Sequence, residues 1–240
     1  MKTWITCFVL FFCTLASAQW RQEKIKGNGK ISSKEIKTNS YETLSIGGSF
    51  HVTLIEGAEG NIKLTGEENI LEYVVVECTD SELKIHTEKG FQLQTSKGNK
   101  IEIQIPIQEI HKINLAGSGK IVSNFKLKSN ELSVTLAGSG NIKLDLQTTN
   151  VEVKLAGSGT IELKGQTQKL VAGLAGSGTL KAQDLITETS TVSVSGSGKI
   201  NTFCSEFIEA KVAGSGSIDY LGNPKKVDTK VAGSGKIRML

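Results

Sequence analysis

Apolar and polar residues alternate through the second half of the chain, in step with a recurring Ala-Gly-Ser-Gly phrase (once Ser-Gly-Ser-Gly). The position two residues after the phrase is always Ile or Leu: Ile121, Ile142, Ile161, Leu180, Ile200, Ile218 and Ile237. The position two residues before its first glycine is always Leu or Val: Leu115, Leu136, Leu155, Leu174, Val194, Val212 and Val231. Polar residues such as Lys120, Asn141 and Thr160 stand between these columns. A period of two predicts β-strands with one buried face.

The phrase recurs seven times at nearly constant spacing. Its first glycines are Gly117, Gly138, Gly157, Gly176, Gly196, Gly214 and Gly233, which follow one another at intervals of 18 to 21 residues. A period of about 19–20 residues predicts a solenoid, in which each repeat is one coil that buries its apolar face only against neighbouring coils. Helical repeats are longer, and leucine-rich repeats carry an Asn-containing pattern that these coils lack.

The predicted fold class is all-β, a right-handed parallel β-helix with coils of about 19–20 residues. Coils stacked at the strand spacing of ~4.8 Å would form continuous Ile and Leu ladders, and seven of them would span about 30 Å. The Gly-Ser-Gly corner supplies backbone angles that residues with a Cβ reach only with strain. An antiparallel barrel is the rival fold, but it predicts Asn-Gly turns and a double-length repeat, and the sequence shows neither.

The first 18 residues are typical of a signal peptide. A positive start at Lys2 precedes an apolar run, and Ala16-Ser17-Ala18 supplies the small residues that a signal peptidase recognises. The run is too short to cross a bilayer, so we expect cleavage and no membrane anchor. Export would place the mature chain in the periplasm, on the outer cell surface or in the extracellular medium.

The rest of the chain divides into two regions. We expect residues 19–110 to form an N-terminal β region with degenerate repeats, less regular than the second region. Gly27-Asn28-Gly29 and Gly60-Asn61-Ile62 resemble the repeated corner, but residues 67–105 break its period. We expect residues 111–240 to form the regular β-helix with seven Gly-Ser-Gly coils.

Export would leave two cysteines, Cys78 and Cys204, in an oxidising compartment where a disulfide can form. Cys78 follows Val74 and Val76 on one face of a predicted strand. This pattern favours two buried, unpaired thiols over a disulfide, although both arrangements stay open at this point.

Charge and motif spacing argue against several functions. A net charge of +4 over 240 residues does not indicate nucleic-acid binding. His51, His86 and His111 lie on separate segments and lack the spacing of a metal site. No phosphate-binding glycine loop followed by Lys-Ser or Lys-Thr occurs. We therefore expect no cofactor and no metal.

We also expect no enzymatic activity. Glycoside hydrolysis needs two carboxylates held close together, and the best stacked pair is Glu209 with Asp228. Lys211 and Lys230 stack beside them, which favours a solvated ladder of charges. The seven repeated serines lack the Gly-x-Ser-x-Gly spacing of a nucleophile elbow, and a structural corner explains seven copies better than catalysis does.

Binding is the better class of hypothesis. A solenoid presents long, regularly spaced faces suited to extended polymers or to another protein's surface. Outward Ser, Thr, Asn and Lys columns could hydrogen-bond a glycan, and a surface protein is the other candidate partner. A periplasmic scaffold or homo-oligomer is the alternative, because the last coil has no evident polar cap and leaves a strand edge to be covered. A polysaccharide-active β-helix enzyme is a weaker alternative.

Several segments resemble one known family. Gly27-Asn28-Gly29, the segment 50–57 (FHVTLIEG), Glu68-Asn69-Ile70-Leu71, Leu83-Lys84-Ile85 and the repeated Ala-Gly-Ser-Gly phrase resemble the "putative auto-transporter adhesin head GIN domain" family. The resemblance covers about residues 25–240. It implies an exported β-helical protein of a Gram-negative type of envelope with a role in adhesion. Since no translocator barrel follows the last coil, we expect an adhesin head alone.

Overall fold

The chain is a parallel β-solenoid. The computed structural model describes residues 22–240 and is nearly all β, with 72% of the chain in strands and 2% in helix. The solenoid has about 7 turns of about 19 residues each, which confirms the predicted fold class. The signal peptide predicted over residues 1–18 lies outside the described residues. No helix within residues 22–240 is long and apolar enough to cross a membrane.

Nine strands and one helical turn form the N-terminal region. They are β1 (Glu23–Lys26), β2 (Ile31–Lys37), β3 (Thr43–Gly47), β4 (His51–Glu56), β5 (Asn61–Glu67), α1 (Glu68–Leu71), β6 (Val74–Thr79), β7 (Glu82–Thr87), β8 (Phe91–Gln94) and β9 (Glu102–Ile107). β3 pairs in parallel with β7, and β4 with β9, so these strands form two stacked levels. β5 runs antiparallel to β2 and β9, and β6 runs antiparallel to β7. The expectation that Gly60-Asn61-Ile62 opens a degenerate coil is therefore wrong.

Ten strands form the regular coils. They are β10 (Lys112–Gly117), β11 (Lys120–Gly138), β12 (Asn141–Gly157), β13 (Thr160–Gly176), β14 (Thr179–Gly196), β15 (Lys199–Phe203), β16 (Phe207–Gly214), β17 (Ser217–Leu221), β18 (Lys226–Gly233) and β19 (Lys236–Met239). Consecutive coils pair in parallel with the corner glycines in register, Gly117 opposite Gly138 and Gly138 opposite Gly157. β3 and β4 pair with β10 and β11, so the stack continues into the N-terminal levels.

The two predicted apolar columns line the inside of the solenoid. Their members from Leu115 to Ile218 are all buried, with at most 3% of each side chain exposed. Only the last coil departs from the prediction, because Val231 is 44% exposed and Ile237 is only partly buried. No further coil within the described residues covers them.

The Gly-Ser-Gly corner is held by main-chain contacts between coils. Gly157 has φ +118, and a Cβ there would lie 2.4 Å from the carbonyl oxygen of Gly138. The N–H groups of Ser158 and Ser177 donate to the carbonyls of Gly138 and Gly157, each at 3.0 Å. Glycine is therefore required at this corner by both its backbone angle and the close approach of the next coil.

The Gly27-Asn28-Gly29 segment has a different role from the one the sequence predicted. It cradles the buried carboxylate of Glu67, which accepts hydrogen bonds from the N–H of Gly29 (2.6 Å) and from the N–H and hydroxyl of Ser96 (2.8 and 2.6 Å). These bonds, that of the Ser96 hydroxyl above all, lower the pKa of Glu67. A Cβ on Gly27 would lie 2.1 Å from the Glu67 carboxylate. The segment is a carboxylate cradle and not a solenoid corner.

Cys78 and Cys204, the two cysteines within residues 22–240, are unpaired. Cys204 is buried, and its thiol lies 3.0 Å from the carbonyl oxygen of Phe207. Cys78 is only partly buried, with its sulfur 3.7 Å from the carbonyl oxygen of Asn39, so the prediction of a fully buried thiol is wrong for Cys78. Cys78 lies in β6, which pairs only with β7 among the described strands and is therefore an edge strand.

Charges on the outer face pair between coils. Lys143 contacts Glu162 at 2.6 Å, as the stacking predicts. Asp219 lies on the same outer face, but its side chain is only 1% exposed because Lys199 and Arg238 from the two adjacent coils cover it, each at 2.9 Å. Burial alone would raise the pKa of Asp219, but the hydrogen bonds and charges of Lys199 and Arg238 outweigh it and lower the pKa. Asp219 thus fastens the last coil to the rest of the stack.

Replacing Asp219 by Asn is expected to lower the free energy of unfolding at pH 7 by about 2 kcal/mol, because it removes charge-assisted hydrogen bonds to two cations. A lowered folded-state pKa means that this contribution is complete above the unfolded carboxyl value of about 3.9 and is lost as pH falls through the folded-state pKa. Urea midpoints measured between neutral and acidic pH should therefore converge for the two proteins. The exposed Asp184→Asn is the control, and equal midpoints for D219N and the parent chain at pH 7 would contradict the assignment.

Candidate functional site

The four coils formed by β11 to β14 have a second bend, near the middle of each strand, where hydroxyl side chains stack. The column is Ser129, Thr148, Thr167 and Thr187, with Ser129 opposite Thr148 and Thr167 opposite Thr187. The hydroxyl of Thr167 donates to the carbonyl of Thr149 at 3.0 Å, and that of Thr187 to the carbonyl of Leu185 at 3.0 Å. These bonds satisfy main-chain carbonyls where the strand bends. The bend turns the neighbouring side chains outward.

A groove runs across this bend over four coils. We name it the corner groove; its volume is 690 Å³, and it is lined by Glu109, Lys128, Ser129, Asn130, Gln147, Thr148, Thr149, Gln166, Thr167, Gln168, Ile186 and Glu188. The column Lys128, Gln147, Gln166 and Ile186 is exposed on successive coils. Gln147 and Gln166 are register partners, so their amides repeat at the strand spacing of ~4.8 Å.

A second depression lies beside the corner groove, and Asn130 lines both. We name it the side depression; its volume is 710 Å³, and it is lined by His111, Asn130, Glu131, Leu132, Ser133, Asn150, Val151, Glu152, Lys169 and Val171. His111 Nδ1 lies 3.1 Å from the Ser129 hydroxyl, and His111 Nε2 lies 3.4 Å from Glu109. The hydrogen bond from Lys154, 2.7 Å away, lowers the pKa of Glu152.

Most of the hydrogen-bonding side chains that line the corner groove are uncharged. Three glutamines, one asparagine and several hydroxyls line it, and each amide supplies both a donor and an acceptor. Its charged members are Glu109, Lys128 and Glu188, so the sum of charges is small. One hydroxyl oxygen, that of Thr148, is buried without a hydrogen-bond partner. Such a surface can hold a neutral polyhydroxyl molecule by hydrogen bonds.

Of the residues considered for chemistry from the sequence, His111 lines the side depression and the others lie outside both surfaces. Glu209 and Asp228 are register partners, as predicted, but Glu209 forms a hydrogen-bonded ion pair with Lys211. This hydrogen bond is the main cause of the raised pKa of Lys211. His51 lies in β4 and His86 in β7, apart from His111. The seven corner serines are all exposed. Within residues 22–240, no three His, Cys, Asp or Glu side chains form a group that could hold a metal ion.

The corner groove is not evident when the coils are aligned on their glycines. Coil length varies, and the register shifts between Val122 and Lys126 and again between Glu162 and Lys164, so that alignment is lost before the second bend. A signal is present in the sequence: Ser129, Thr148 and Thr167 follow one another at steps of 19 residues. Aligning the coils on these hydroxyls reveals the column of glutamines beside them.

Residues 40–224 match the family described as "Putative auto-transporter adhesin, head GIN domain". The chain belongs to this family. The resemblance inferred from the Gly-Ser-Gly phrase is thereby confirmed, and the matched range includes every residue of the corner groove. No curated protein matches the chain.

Solved structures of the same architecture come from Bacteroides and Parabacteroides species. A "putative adhesin" from Bacteroides fragilis has 24% identity and a TM-score of 0.82, with 90% of this GIN-domain chain and 100% of that chain covered. A "putative lipid binding protein" from Parabacteroides distasonis has 27% identity and a TM-score of 0.75, covering 91% and 100%. A "putative adhesin" from Parabacteroides merdae has 22% identity and a TM-score of 0.72, covering 91% and 99%. The likenesses at 24% and 22% identity show a common fold.

Proposed function

We propose that this GIN-domain chain is an exported, non-enzymatic binding module whose corner groove holds a neutral glycan. One observation carries the proposal. Gln147 and Gln166 repeat an outward amide on adjacent coils, and the exposed amides of Asn130 and Gln168 lie beside them in the same groove. An extended sugar chain laid across the coils would meet the same amide donor and acceptor at these two adjacent steps, since the strand spacing is close to the length of one sugar unit.

The charge of the corner groove favours a neutral ligand over a charged polymer. Glu109 and Glu188 flank it, and Lys128 is its one cationic side chain. A nucleic acid or another polyanion would need several cations along its path. A neutral glycan needs paired donors and acceptors, and the glutamine and asparagine amides provide both. The absence of aromatic side chains from this lining means that hydrogen bonds, rather than stacking, hold the sugar.

The relative from Parabacteroides distasonis described as a "putative lipid binding protein" suggests a lipid as the other ligand. An acyl chain needs an enclosed apolar cavity. The interior of this solenoid is filled by side chains such as Ile142, Ile161 and Leu163, all at most 1% exposed. The corner groove has Ile186 as its large exposed apolar member. These features support a glycan over a lipid tail.

Family and sequence together support a location outside the cytoplasm. The family is described as an adhesin head, and residues 1–18 have the pattern of a signal peptide. The envelope surface is the site where a module that binds glycans would meet them. A binding role without catalysis is consistent with the Glu209 and Asp228 pair, since Lys211 forms an ion pair with Glu209.

Replacing both groove glutamines, Gln147→Ala with Gln166→Ala, is expected to weaken glycan binding roughly thirtyfold, because about 1 kcal/mol is lost for each of the two hydrogen bonds removed. The probes are neutral β-glucan, mannan and galactan oligosaccharides, screened on an array and then titrated by calorimetry. The matched control is Gln92→Ala with Gln94→Ala, which removes two exposed glutamines of β8 that do not line the groove.

Binding of at least one probe, lost in the groove variant and kept in the β8 variant, supports the proposal. Equal loss in both variants, or binding to none of the probes by a folded protein, contradicts it. Thermal melting separates these outcomes from unfolding, since all four glutamines are exposed and their truncation should leave the melting temperature nearly unchanged.

A further inference from the structure

The last coil exposes an inner face that every earlier coil buries. All residues of β18 are exposed, with Val227 at 46% and Val231 at 44%, and Met239 of β19 is 53% exposed. The corresponding residues one coil earlier, Ile208 and Val212, are 0% and 2% exposed. Apolar residues placed for a core thus lie at an open end of the solenoid, where burying them would be favourable.

The same coil carries an unpaired main-chain edge. Among the described strands, β18 pairs only with β16 and β19 only with β17. The N–H of Lys226 donates to the carbonyl of Glu206 at 3.0 Å, so Lys226 directs its main-chain groups toward the earlier coil. Because these directions alternate along a strand, the groups of Val227, Thr229 and Val231 face away from the stack. They form a row of free donors and acceptors, ready to pair with another strand.

The sequence of β18 is self-complementary when a second copy lies antiparallel to it. Centring the pair on Thr229 places Val227 opposite Val231 of the copy, with the two valines on the inner face. It also places Asp228 opposite Lys230 of the copy on the outer face, and the two-fold axis repeats both contacts. The residues whose main-chain groups are free are the ones that this register joins by hydrogen bonds. The valine contacts, the Asp–Lys pairs and the main-chain hydrogen bonds therefore all favour the same register.

We propose that a second copy of this chain docks on the last coil, end to end, with the two β18 strands antiparallel about Thr229. A two-fold axis perpendicular to the sheet keeps inner side chains on the inner side, so the two cores become continuous across the junction. The opposite end of the solenoid is covered differently, since β7 is flanked by β6 and β9 by β5, both antiparallel. The contact therefore uses the same face of both copies, and it closes as a dimer instead of growing into a fibre.

Charge reversal at the outer face tests the register. In sedimentation experiments over a range of concentrations, the chain should form a reversible dimer. Asp228→Lys faces a lysine of the copy and should weaken the dimer at least roughly tenfold. Asp228→Lys with Lys230→Asp restores the opposite charges and should restore the dimer. Asp228 stacks on Glu209 within its own chain, so the single reversal does not weaken the fold, and its melting temperature should not fall.

Cysteine cross-linking gives an independent readout. Residues 228 and 230 of the copy form the closer, non-hydrogen-bonded kind of pair, so Asp228→Cys with Lys230→Cys should give a covalent dimer under mild oxidation. Glu209→Cys with Lys211→Cys is the matched control one coil earlier, where the copies are too far apart to bridge. A monomer at every concentration, a dimer indifferent to Asp228→Lys, or equal cross-linking in the two double-cysteine variants would overturn the proposal.

Discussion

An aspartate in place of Ile161 is expected to unfold the solenoid. Ile161 is 0% exposed and lies between Ile142 and Leu180 in the inner column. The substitution removes about 2 kcal/mol of apolar burial and places an unpaired carboxylate in the core, which costs several kcal/mol more. The sum of more than about 5 kcal/mol is comparable to the whole stability of an ordinary domain. Circular dichroism should show loss of the cooperative melt, or aggregation.

Lys143→Ala is the matched control for this experiment. Lys143 lies on the outer face of the neighbouring coil, and its contact with Glu162 is an exposed ion pair. Removing such a pair costs less than about 1 kcal/mol, so the melting temperature should fall by a few degrees at most. Similar melting curves for the Ile161→Asp and Lys143→Ala variants would contradict the assignment of inner and outer faces.

Gly157→Ala is expected to destabilise the stack by about 4 kcal/mol. Two costs add at this corner: a non-glycine residue is strained at φ +118, and its Cβ would lie 2.4 Å from the carbonyl oxygen of Gly138. Because that oxygen belongs to the main chain of the adjacent coil, the steric clash can be relieved only if the two coils move apart. The urea midpoint of unfolding measures the loss.

Gly173→Ala is a control in the adjacent coil, since Gly173 lies in β13 and Gly157 ends β12. A Cβ on Gly173 would have the Ser193 hydroxyl as its nearest neighbour, 3.7 Å away, which is ordinary contact. The variant should be neutral or slightly more stable, since alanine restricts the unfolded chain. Equal destabilisation by Gly157→Ala and Gly173→Ala would mean that the corner does not depend on glycine in the way the coil contacts indicate.

The regular coils were predictable because the same alternation of apolar and polar residues, with the same glycine phrase, repeats in each of them. The alternation around Ile161 fixes which residues face inward, and the glycine spacing fixes the length of a coil. The N-terminal region was less predictable, because alternation is the same in parallel and antiparallel strands. Gly60-Asn61-Ile62 has the local pattern of a coil, yet long-range pairing with β2 and β9 decides the direction of β5.

The candidate site could not be predicted from the alternation of apolar and polar residues alone. The corner groove lies at a bend where the hydroxyls of Thr167 and Thr187 donate hydrogen bonds to main-chain carbonyls. Because the coils vary in length, an alignment on the glycines does not bring these two threonines into one column. The burial of Asp219 likewise depends on the side chains of Lys199 and Arg238 from two other coils. Sequence position places Asp219 on the outer face, but only the three-dimensional stack shows that this part of the face is covered.

A footprint of a bound glycan is the most direct test of the binding account. Hydroxyl-radical labelling would be compared with and without the tightest binder among the neutral β-glucan, mannan and galactan oligosaccharides. We expect protection at the bend of successive coils, in segments 128–130, 147–149, 166–168 and 186–188, with the outer face around Lys143 and Glu162 unchanged. Protection of that outer face, or of the glycine corners, with the four segments unprotected would show that the corner groove is not the binding surface.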